Sequence, residues 1–168
     1  MMHPKFNPHK ALEVLLYVAR RCPDMYTALK VVYFADRQHL ARYGRLIAGD
    51  SYVAMSHGPV PSGIYDIVKY VRGDGAFAVE VPARETFTMP DRETISPLRE
   101  PNLDLLSESE QECLEESIRR YGGKGFGELR DLSHDAAFVA ADRNDLIPME
   151  ALVKSVPDGE VLWDYLNQ

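Results

Sequence analysis

Four side chains in this 168-residue sequence have the types and the spacing that acid–base chemistry would use. Asp36 and His39 are three residues apart in a stretch of helical periodicity, so they share a helix face and could hydrogen-bond. His57 and His134 belong to two other segments and could approach that pair. An acid or base must lie within hydrogen-bond reach of the group it serves, directly or through one water. The hypothesis of a small enzyme therefore depends on whether the fold brings these four side chains together.

The motifs that usually accompany such chemistry are missing from the sequence. A metal site would be indicated by a pair of histidines four residues apart on a helix, and no such pair occurs. The nucleophile motif Gly-x-Ser-x-Gly is also absent. Asp36 falls on an otherwise apolar stripe, so burial would oblige its carboxylate to find a partner. The interpretation we favour is a structural polar network of Asp36, His39 and His134, with no catalytic residue, no metal and no cofactor.

A proline-rich segment, His57-Gly58-Pro59-Val60-Pro61, lies between these groups in the sequence. Two prolines in three residues fix φ twice and remove two donors, so we expect a stiff loop with open backbone acceptors. The segment is too short for a phosphate-binding loop and lacks the lysine of one. Two roles stay open for it: a docking surface for another chain, and a rigid corner that aims the next helix.

Helices and strands predicted from local patterns must position these groups. A first helix begins at Asn7-Pro8, where asparagine is the cap and proline takes the first helical position. A longer helix covers residues 27–43 with an apolar stripe on one face, and Gly44 ends it. The remaining predicted elements are a strand at 51–55, a helix capped by Ser62, a hairpin of 76–81 with 85–89, a helix opened by a Ser107–Glu110 capping box, a short helix from Phe126 to Ser133-His134, and a last turn or two after Pro148.

Together these elements predict an α+β fold, a predominantly α-helical single domain with a small antiparallel β-sheet. We expect the domain to cover residues 1–153 and residues 154–168 to form a C-terminal tail. Trp163 and Tyr165 lie in this tail beyond a Pro-Asp-Gly break, and a large aromatic side chain near a terminus often binds another chain. Packing back onto its own domain is the alternative.

Charge is unevenly distributed along the chain, whose net charge is −7. Residues 1–84 carry 11 Lys or Arg and 7 Asp or Glu, whereas residues 85–168 carry 8 and 19. Either the two halves neutralise one another within one fold, or the second half offers an acidic surface to a basic partner. Nucleic acid binding needs a concentrated basic patch, so a nucleic-acid-binding regulator is disfavoured but kept as an alternative. Its basic helical face would consist of Arg20, Arg21, Lys30, Arg37, Arg42 and Arg45.

The sequence favours a cytoplasmic protein with no membrane partner. No apolar run approaches the roughly 20 residues that a membrane span requires, and residues 1–10 lack the apolar core of a secretory signal. Cys22 and Cys113 match no metal or redox spacing, which fits two structural thiols in a reducing compartment.

Eight short motifs occur in an order and spacing that are together fairly specific. They are Leu29–Asp36, His39–Arg45, Tyr52–Met55, Gly58–Ser62, Leu106-Ser107, Tyr121-Gly122, Glu128-Leu129 and Leu132–His134. This order resembles the Panacea domain family, which includes SocA-like antitoxins and phage-associated relatives, over roughly residues 10–153. Two positions depart from the family pattern. Phe138 takes the place of an aromatic, often tryptophan, expected closer to the Ser-His pair, and Ser56 replaces a basic or bulky residue before the Gly-Pro loop.

The resemblance implies a mostly helical domain over residues 1–153 and an antitoxin function. Such a domain binds and neutralises a toxin encoded beside it, or hands that toxin to a protease or chaperone as an adaptor. The resemblance implies no catalytic residues and names no particular toxin. Exposed aromatic side chains and stiff loops give the best contacts for the least entropy lost. The expected partner-binding residues are Tyr43, Tyr52, His57, Gly58, Pro59, Val60, Pro61, Trp163 and Tyr165.

Overall fold

The computed structural model describes residues 5–75 and 78–168 of the chain. Within these ranges the predicted α+β, mostly helical fold is confirmed, with eight α-helices and two two-stranded antiparallel sheets. No helix in these ranges is both long enough and apolar enough to cross a membrane. The helices are α1 (Pro8–Ala19), α2 (Met25–Tyr43), α3 (Ser62–Arg72), α4 (Glu108–Tyr121), α5 (Phe126–Ser133), α6 (Ala136–Val139), α7 (Met149–Lys154) and α8 (Gly159–Leu166), and the strands are β1 (Tyr52–Met55), β2 (Gly58–Pro61), β3 (Phe87–Thr88) and β4 (Ser96–Pro97).

Helix α2 lies at the centre of the fold and contacts α1, α4, α5, α7 and β2. One of its faces contributes Leu29 and Val32 to a hydrophobic cluster shared with α1 and α3. Another face contributes Tyr33 and Leu40 to a second cluster, which includes Leu129 of α5 and residues of α7. Burial of apolar surface is the main favourable term in folding, so two buried faces make α2 the helix on which the other elements pack.

Residues next to α1, α2 and α4 set where these helices begin or end, as predicted. The side chain of Asn7 accepts a hydrogen bond of 3.0 Å from the Lys10 N–H at the start of α1. Ser107 and Glu110 form the predicted capping box at the start of α4. Helix α2 ends at Gly44, whose φ of 77° lies in the left-handed region that favours glycine.

Helix α3 is capped from a distance by Asp50, and the prediction that Ser62 caps it is wrong. Ser62 is the first residue of the helix, and the cap position is taken by Pro61, whose side chain has no acceptor. The Asp50 carboxylate instead accepts hydrogen bonds of 2.7 Å from the Gly63 N–H and 3.0 Å from the Ile64 N–H. The β-hairpin returns the chain to Asp50, so this cap depends on tertiary structure.

Residues 57–61, which were predicted to form a stiff loop, consist of His57 in a turn and strand β2. Strand β2 pairs with β1 in a β-hairpin. In the register of this antiparallel pair, Tyr52 lies opposite Pro61. Proline cannot donate to a sheet, but it is tolerated in an edge strand such as β2. The other side of β1 is covered by a later segment, since the Ile147 N–H donates to the Tyr52 carbonyl at 2.8 Å.

The predicted hairpin of residues 76–81 with 85–89 is wrong. Residues 76 and 77 lie outside the described residues, and the described remainder of the first segment forms no strand. Strand β3 pairs with β4 instead. Both strands lie next to a fully buried apolar side chain, Phe87 in β3 and Ile95 just before β4. Local β-propensity did not reveal this pairing, which joins segments that both pack on the core.

Much of the segment predicted as a tail, residues 154–168, forms helix α8. Leu162, Trp163 and Leu166 pack against the second hydrophobic cluster. The helix contacts α7 directly. The large apolar side chains that suggested a partner-binding tail are therefore divided between a packed side and an exposed side of one helix.

The acidic second half of the chain neutralises basic side chains of the first half within the fold. Lys30 is buried and donates to a backbone carbonyl. The five arginines of the predicted basic face pair with carboxylates from residues 100–135, so the six cations do not form an open basic patch. The partners are Glu100 for Arg20, Glu115 for Arg21, Asp135 for Arg37, Glu116 for Arg42 and Glu110 for Arg45.

The carboxylate of Asp36 is buried and joins three segments of the chain. It accepts hydrogen bonds of 2.8 Å from the Ile47 N–H and 2.6 Å from the Tyr52 hydroxyl. The Tyr52 ring packs edge-on against Tyr33, with ring centroids 5.0 Å apart. Burial raises the pKa of Asp36 to about 7, although both donors favour the ionised form. Helix α2, the segment that follows it and strand β1 are thereby held together.

We expect the substitution Asp36→Asn to weaken a pH dependence of stability between about pH 4 and pH 7. An unfolded aspartate ionises near pH 4, whereas the pKa of Asp36 in the fold is about 7. The folded state therefore binds more protons in this window, and the wild-type free energy of unfolding falls as pH rises. Urea unfolding across the window measures both slopes. Asp50 is common to both proteins, so the difference between the slopes reports Asp36, and equal slopes would contradict the prediction.

Candidate protein-binding surface

The buried members of the acid–base hypothesis lie in separate hydrogen-bond groups. Asp36 is bound by the two donors described above. His39 is fully buried, with Nδ1 2.8 Å from the Arg45 carbonyl oxygen and Nε2 2.9 Å from the Ser109 hydroxyl. Burial lowers the pKa of His39, so its imidazole is neutral at pH 7. His39 connects the end of α2 to the start of α4.

The prediction of one polar network that includes His134 is wrong. His134 ends α5, where its Nδ1 lies 2.5 Å from the Arg130 carbonyl oxygen and its ring packs 4.2 Å from that of Phe138. Its ring is therefore committed to its own helix and to α6, and the hydrogen bonds of the described residues do not connect it to Asp36 or His39. The hydrogen bonds of the described residues therefore do not join the side chains of the acid–base hypothesis to one another. Residues 5–75 and 78–168, which the structure describes, contain no cluster of three or more His, Cys, Asp or Glu side chains that could hold a metal ion.

An aromatic cluster with two exposed members and one half-buried member, Tyr26, lies at the turn of the β1–β2 hairpin. The Tyr26 hydroxyl donates to the His57 carbonyl at 2.8 Å. The ring of Phe126 lies 4.4 Å from that of Tyr26 and 5.1 Å from that of His57, measured between centroids. Phe126 is 51% exposed, and His57 is exposed. We call Tyr26, His57 and Phe126 the hairpin-tip cluster.

A buried lysine, Lys30, contacts both strand β2 and the Tyr26 ring of this cluster. Lys30 Nζ donates to the Pro59 carbonyl at 2.7 Å and lies 4.9 Å from the centre of the Tyr26 ring. Burial lowers the pKa of Lys30 to about 7. The ammonium and the neutral amine can both donate to a carbonyl. Lys30 therefore ties β2 to α2 in either protonation state.

The hairpin turn requires glycine at position 58. Gly58 has a φ of 117°, which side chains rarely adopt. A Cβ atom there would lie 2.5 Å from the Ser133 hydroxyl and 3.1 Å from Lys30 Cε. The backbone of the turn thus packs directly against α2 and α5, and the hairpin-tip cluster is held rigidly.

A cleft of about 350 Å³ lies beside the hairpin, between β1 and the α5–α6 region. Ser56 and Phe138 both line it, and these are the two positions at which the sequence departs from the Panacea pattern. Ser56 directly precedes His57 in the chain, so the cleft begins next to the hairpin turn. The other lining residues are Ala54, Met55, His134, Val139, Ala141 and Arg143.

Several of the predicted partner-binding residues are buried within the hairpin. Tyr52 is 2% exposed, and Gly58, Pro59 and Pro61 are also buried, so their prediction as surface contacts is wrong. Val60 is half-buried and packs against the first hydrophobic cluster. The four residues of β2 are packed between α2, α3 and α5. This packing favours the alternative interpretation, a rigid corner that aims the next helix, which stays a prediction.

The remaining predicted contact residues reach the surface to different degrees. His57 is exposed at the turn. Tyr43 is 49% exposed and packs its ring 4.8 Å from that of His39. On α8, Trp163 is half-buried against the second cluster and Tyr165 is 68% exposed. Their roles as contacts stay predictions.

Sequence reasoning missed both the half-buried Tyr26 and the exposed Phe126. The spacing of Phe126, Leu129 and Leu132 indicates a helix with an apolar face, yet only Leu129 is fully buried. An apolar pattern does not say how much of a short helix its neighbours cover. The one available signal was the position of Phe126 directly after a glycine, at the start of a helix.

The family model described as Antitoxin SocA-like, Panacea domain, matches residues 29–137. This range is well over half of the chain and runs from α2 to α6, including the hairpin and α5. The chain belongs to the SocA-like antitoxin family. Comparisons with the curated proteins and with the solved structures gave no match. Most of the hairpin-tip cluster lies inside the range matched to the SocA-like domain, whereas α1, α7 and α8 lie outside it.

We expect Gly58→Ala to lower the free energy of unfolding by at least about 2 kcal/mol, because alanine is strained at a positive φ and its Cβ meets Ser133 and Lys30. Gly127→Ala is the matched control, since Gly127 lies in α5 and nothing stands within 4 Å of the added atom. Alanine in a helix should leave stability unchanged or raise it by up to ~1 kcal/mol. Urea unfolding of both variants tests this. A Gly58→Ala protein as stable as wild type would refute the packing described for the turn.

Proposed function

We propose that this SocA-like protein neutralises a cognate toxin by direct protein–protein binding. The observation that carries the proposal is the hairpin-tip cluster, an exposed aromatic group on a rigid turn within a domain of an antitoxin family. Binding by such a surface needs no catalytic residue.

Rigid exposed aromatic side chains suit protein binding for a physical reason. An interface gains most from large side chains that lose little conformational freedom on association. The hydrogen bond from Tyr26 to the turn and the packing of its ring on Phe126 already restrict the hairpin-tip cluster. The adjacent cleft offers a concave surface beside this aromatic group. A standard interface of about 1,600 Å² in total would extend well beyond both.

The mode of neutralisation divides the proposal into two variants. Occupation of the toxin surface would block the toxin sterically and leave its amount unchanged. Adaptor action would hand the bound toxin to a protease and shorten its lifetime in the cell. Both variants require the same binding step. A nucleic-acid-binding regulator is disfavoured, because the cations of its proposed face are paired or buried.

The test is coexpression of the chain with the product of each adjacent open reading frame, followed by growth measurements and size-exclusion chromatography. Rescue of growth and a stable complex are expected with the cognate toxin. Phe126→Ala and His57→Ala should each weaken that complex, Phe126→Ala by at least about tenfold in Kd, because truncated aromatic contacts often cost this much. Leu98→Ala is the control, since Leu98 is an exposed apolar residue, 56% accessible, that follows β4 away from the hairpin.

One outcome would refute the proposal, and a second would exclude the surface assigned to it. The first is failure of the wild-type chain to rescue growth or to bind either neighbouring product. The second is a complex that Phe126→Ala and His57→Ala leave as tight as Leu98→Ala does, which would exclude the hairpin-tip cluster as the contact. Toxin half-life, measured with and without the antitoxin, separates steric neutralisation from adaptor action.

A further inference from the structure

Helix α8 presents apolar side chains on its exposed side as well as on its packed side. Val161 and Tyr165 are four residues apart, so they share one face of the helix, and they are 71% and 68% exposed. Leu162 and Leu166 lie on the packed side, within about 4 Å of the position that a Cβ would take at Gly44. The outer pair contributes little to the core, and we call these two exposed side chains the apolar strip.

The turn before α8 holds the helix firmly against α7. Asp158 adopts the left-handed conformation with φ of 58°, and a Cβ at Gly159 would lie 2.2 Å from the Val153 carbonyl oxygen. The Lys154 ammonium, at the end of α7, lies 2.8 Å from Glu150 and 3.6 Å from Glu160. The outer strip of α8 is therefore displayed in a fixed orientation.

Acidic side chains accompany this strip. Residues 155–168 contain Asp158, Glu160 and Asp164 and no Lys or Arg. Lys154 partly neutralises Glu160. Arg37 and Arg42 line a cleft together with Asp158, but each is paired with another carboxylate, Asp135 and Glu116 respectively. The remaining charge is therefore negative, in contrast to the α1–α2 and α4 region, where carboxylates face arginines.

The three acidic side chains Asp158, Glu160 and Asp164, which we call the rim, select among possible binding partners by their charge. Nucleic acids and anionic membrane surfaces carry negative charge and would be repelled. A second copy of this chain, docked by a two-fold axis through α8, would bring the same acidic residues face to face. A protein that places Lys or Arg around an apolar spot complements both the strip and the rim.

We propose that Val161 and Tyr165, within the rim of Asp158, Glu160 and Asp164, dock a basic surface of the toxin. This inference rests on the proposed function and adds the chemistry of the partner. Helix α8 lies outside the range matched by the family model, residues 29–137. The contact therefore belongs to a part of the chain beyond the matched domain, where the choice of one particular toxin can be encoded.

The apolar strip and the acidic rim make separable contributions to binding kinetics. Buried apolar contacts act mainly on koff, whereas long-range charge attraction raises kon and is screened by salt. Val161→Ala with Tyr165→Ala should raise koff at least about tenfold and leave kon within about twofold. Asp158→Asn with Glu160→Gln and Asp164→Asn should lower kon severalfold and flatten its salt dependence. Asparagine suits the left-handed turn at 158, so the second variant keeps the backbone conformation.

Surface plasmon resonance with the neighbouring toxin, at several salt concentrations, measures both rates. Leu98→Ala controls for loss of an exposed apolar side chain. Neutralisation of three other exposed carboxylates, away from α7 and α8, controls for net charge. These control substitutions are Asp66→Asn, Glu85→Gln and Glu93→Gln.

The outcomes distinguish this inference from the proposed function. A wild-type chain that binds neither neighbouring product overturns both. A wild-type complex whose rates and salt dependence match those of both α8 variants overturns the α8 contact alone. Sedimentation of the isolated chain as a dimer that Val161→Ala with Tyr165→Ala dissociates would assign the strip to a second copy and would also overturn it. Slower association in the acidic variant, with faster dissociation in the apolar variant, supports the contact.

Discussion

The buried carboxylate of Asp36 and the buried amine of Lys30 hold the β-hairpin against α2. They are six residues apart on one helix, and each forms a hydrogen bond with a different strand. Asp36 accepts from the Tyr52 hydroxyl of β1, and Lys30 donates to the Pro59 carbonyl of β2. Buried polar groups are costly unless paired, so displacement of either strand would leave an unpaired group inside the protein. The hairpin can therefore occupy essentially one position, and the exposed turn at His57 inherits that rigidity.

Features fixed by local sequence could be predicted, whereas features fixed by distant partners could not. The left-handed stop at Gly44 and the capping box of Ser107 and Glu110 need only neighbouring residues, and both are present. The cap of α3 comes from Asp50, twelve residues before the helix begins, and depends on the hairpin between them. Strand β2 was missed because two prolines argue against a strand, although an edge strand tolerates them.

The same difference between local and distant determinants decides which of the predicted contact residues are exposed and which are buried. His57 is exposed because it occupies the turn, while the residues after it are buried because β2 pairs and packs. Trp163 and Tyr165 are two residues apart, so a helix places them on nearly opposite sides. One packs on the core and the other faces solvent. The Pro-Asp-Gly break predicts a tail in this region, and a tail without a helix does not distinguish the packed aromatic from the exposed one.

Pairing of charges within the fold determines what charge the acidic side chains of α8 present to a partner. Most arginines of the first half are matched by carboxylates of the second, so net charge alone says little about association. What a partner meets is the local charge left after these pairs form. Around α8 that charge is negative and surrounds an apolar strip, whereas at the hairpin tip the exposed groups are aromatic. Two surfaces of different chemistry on one rigid domain would let a shared antitoxin fold hold a toxin with one surface and discriminate among toxins with the other.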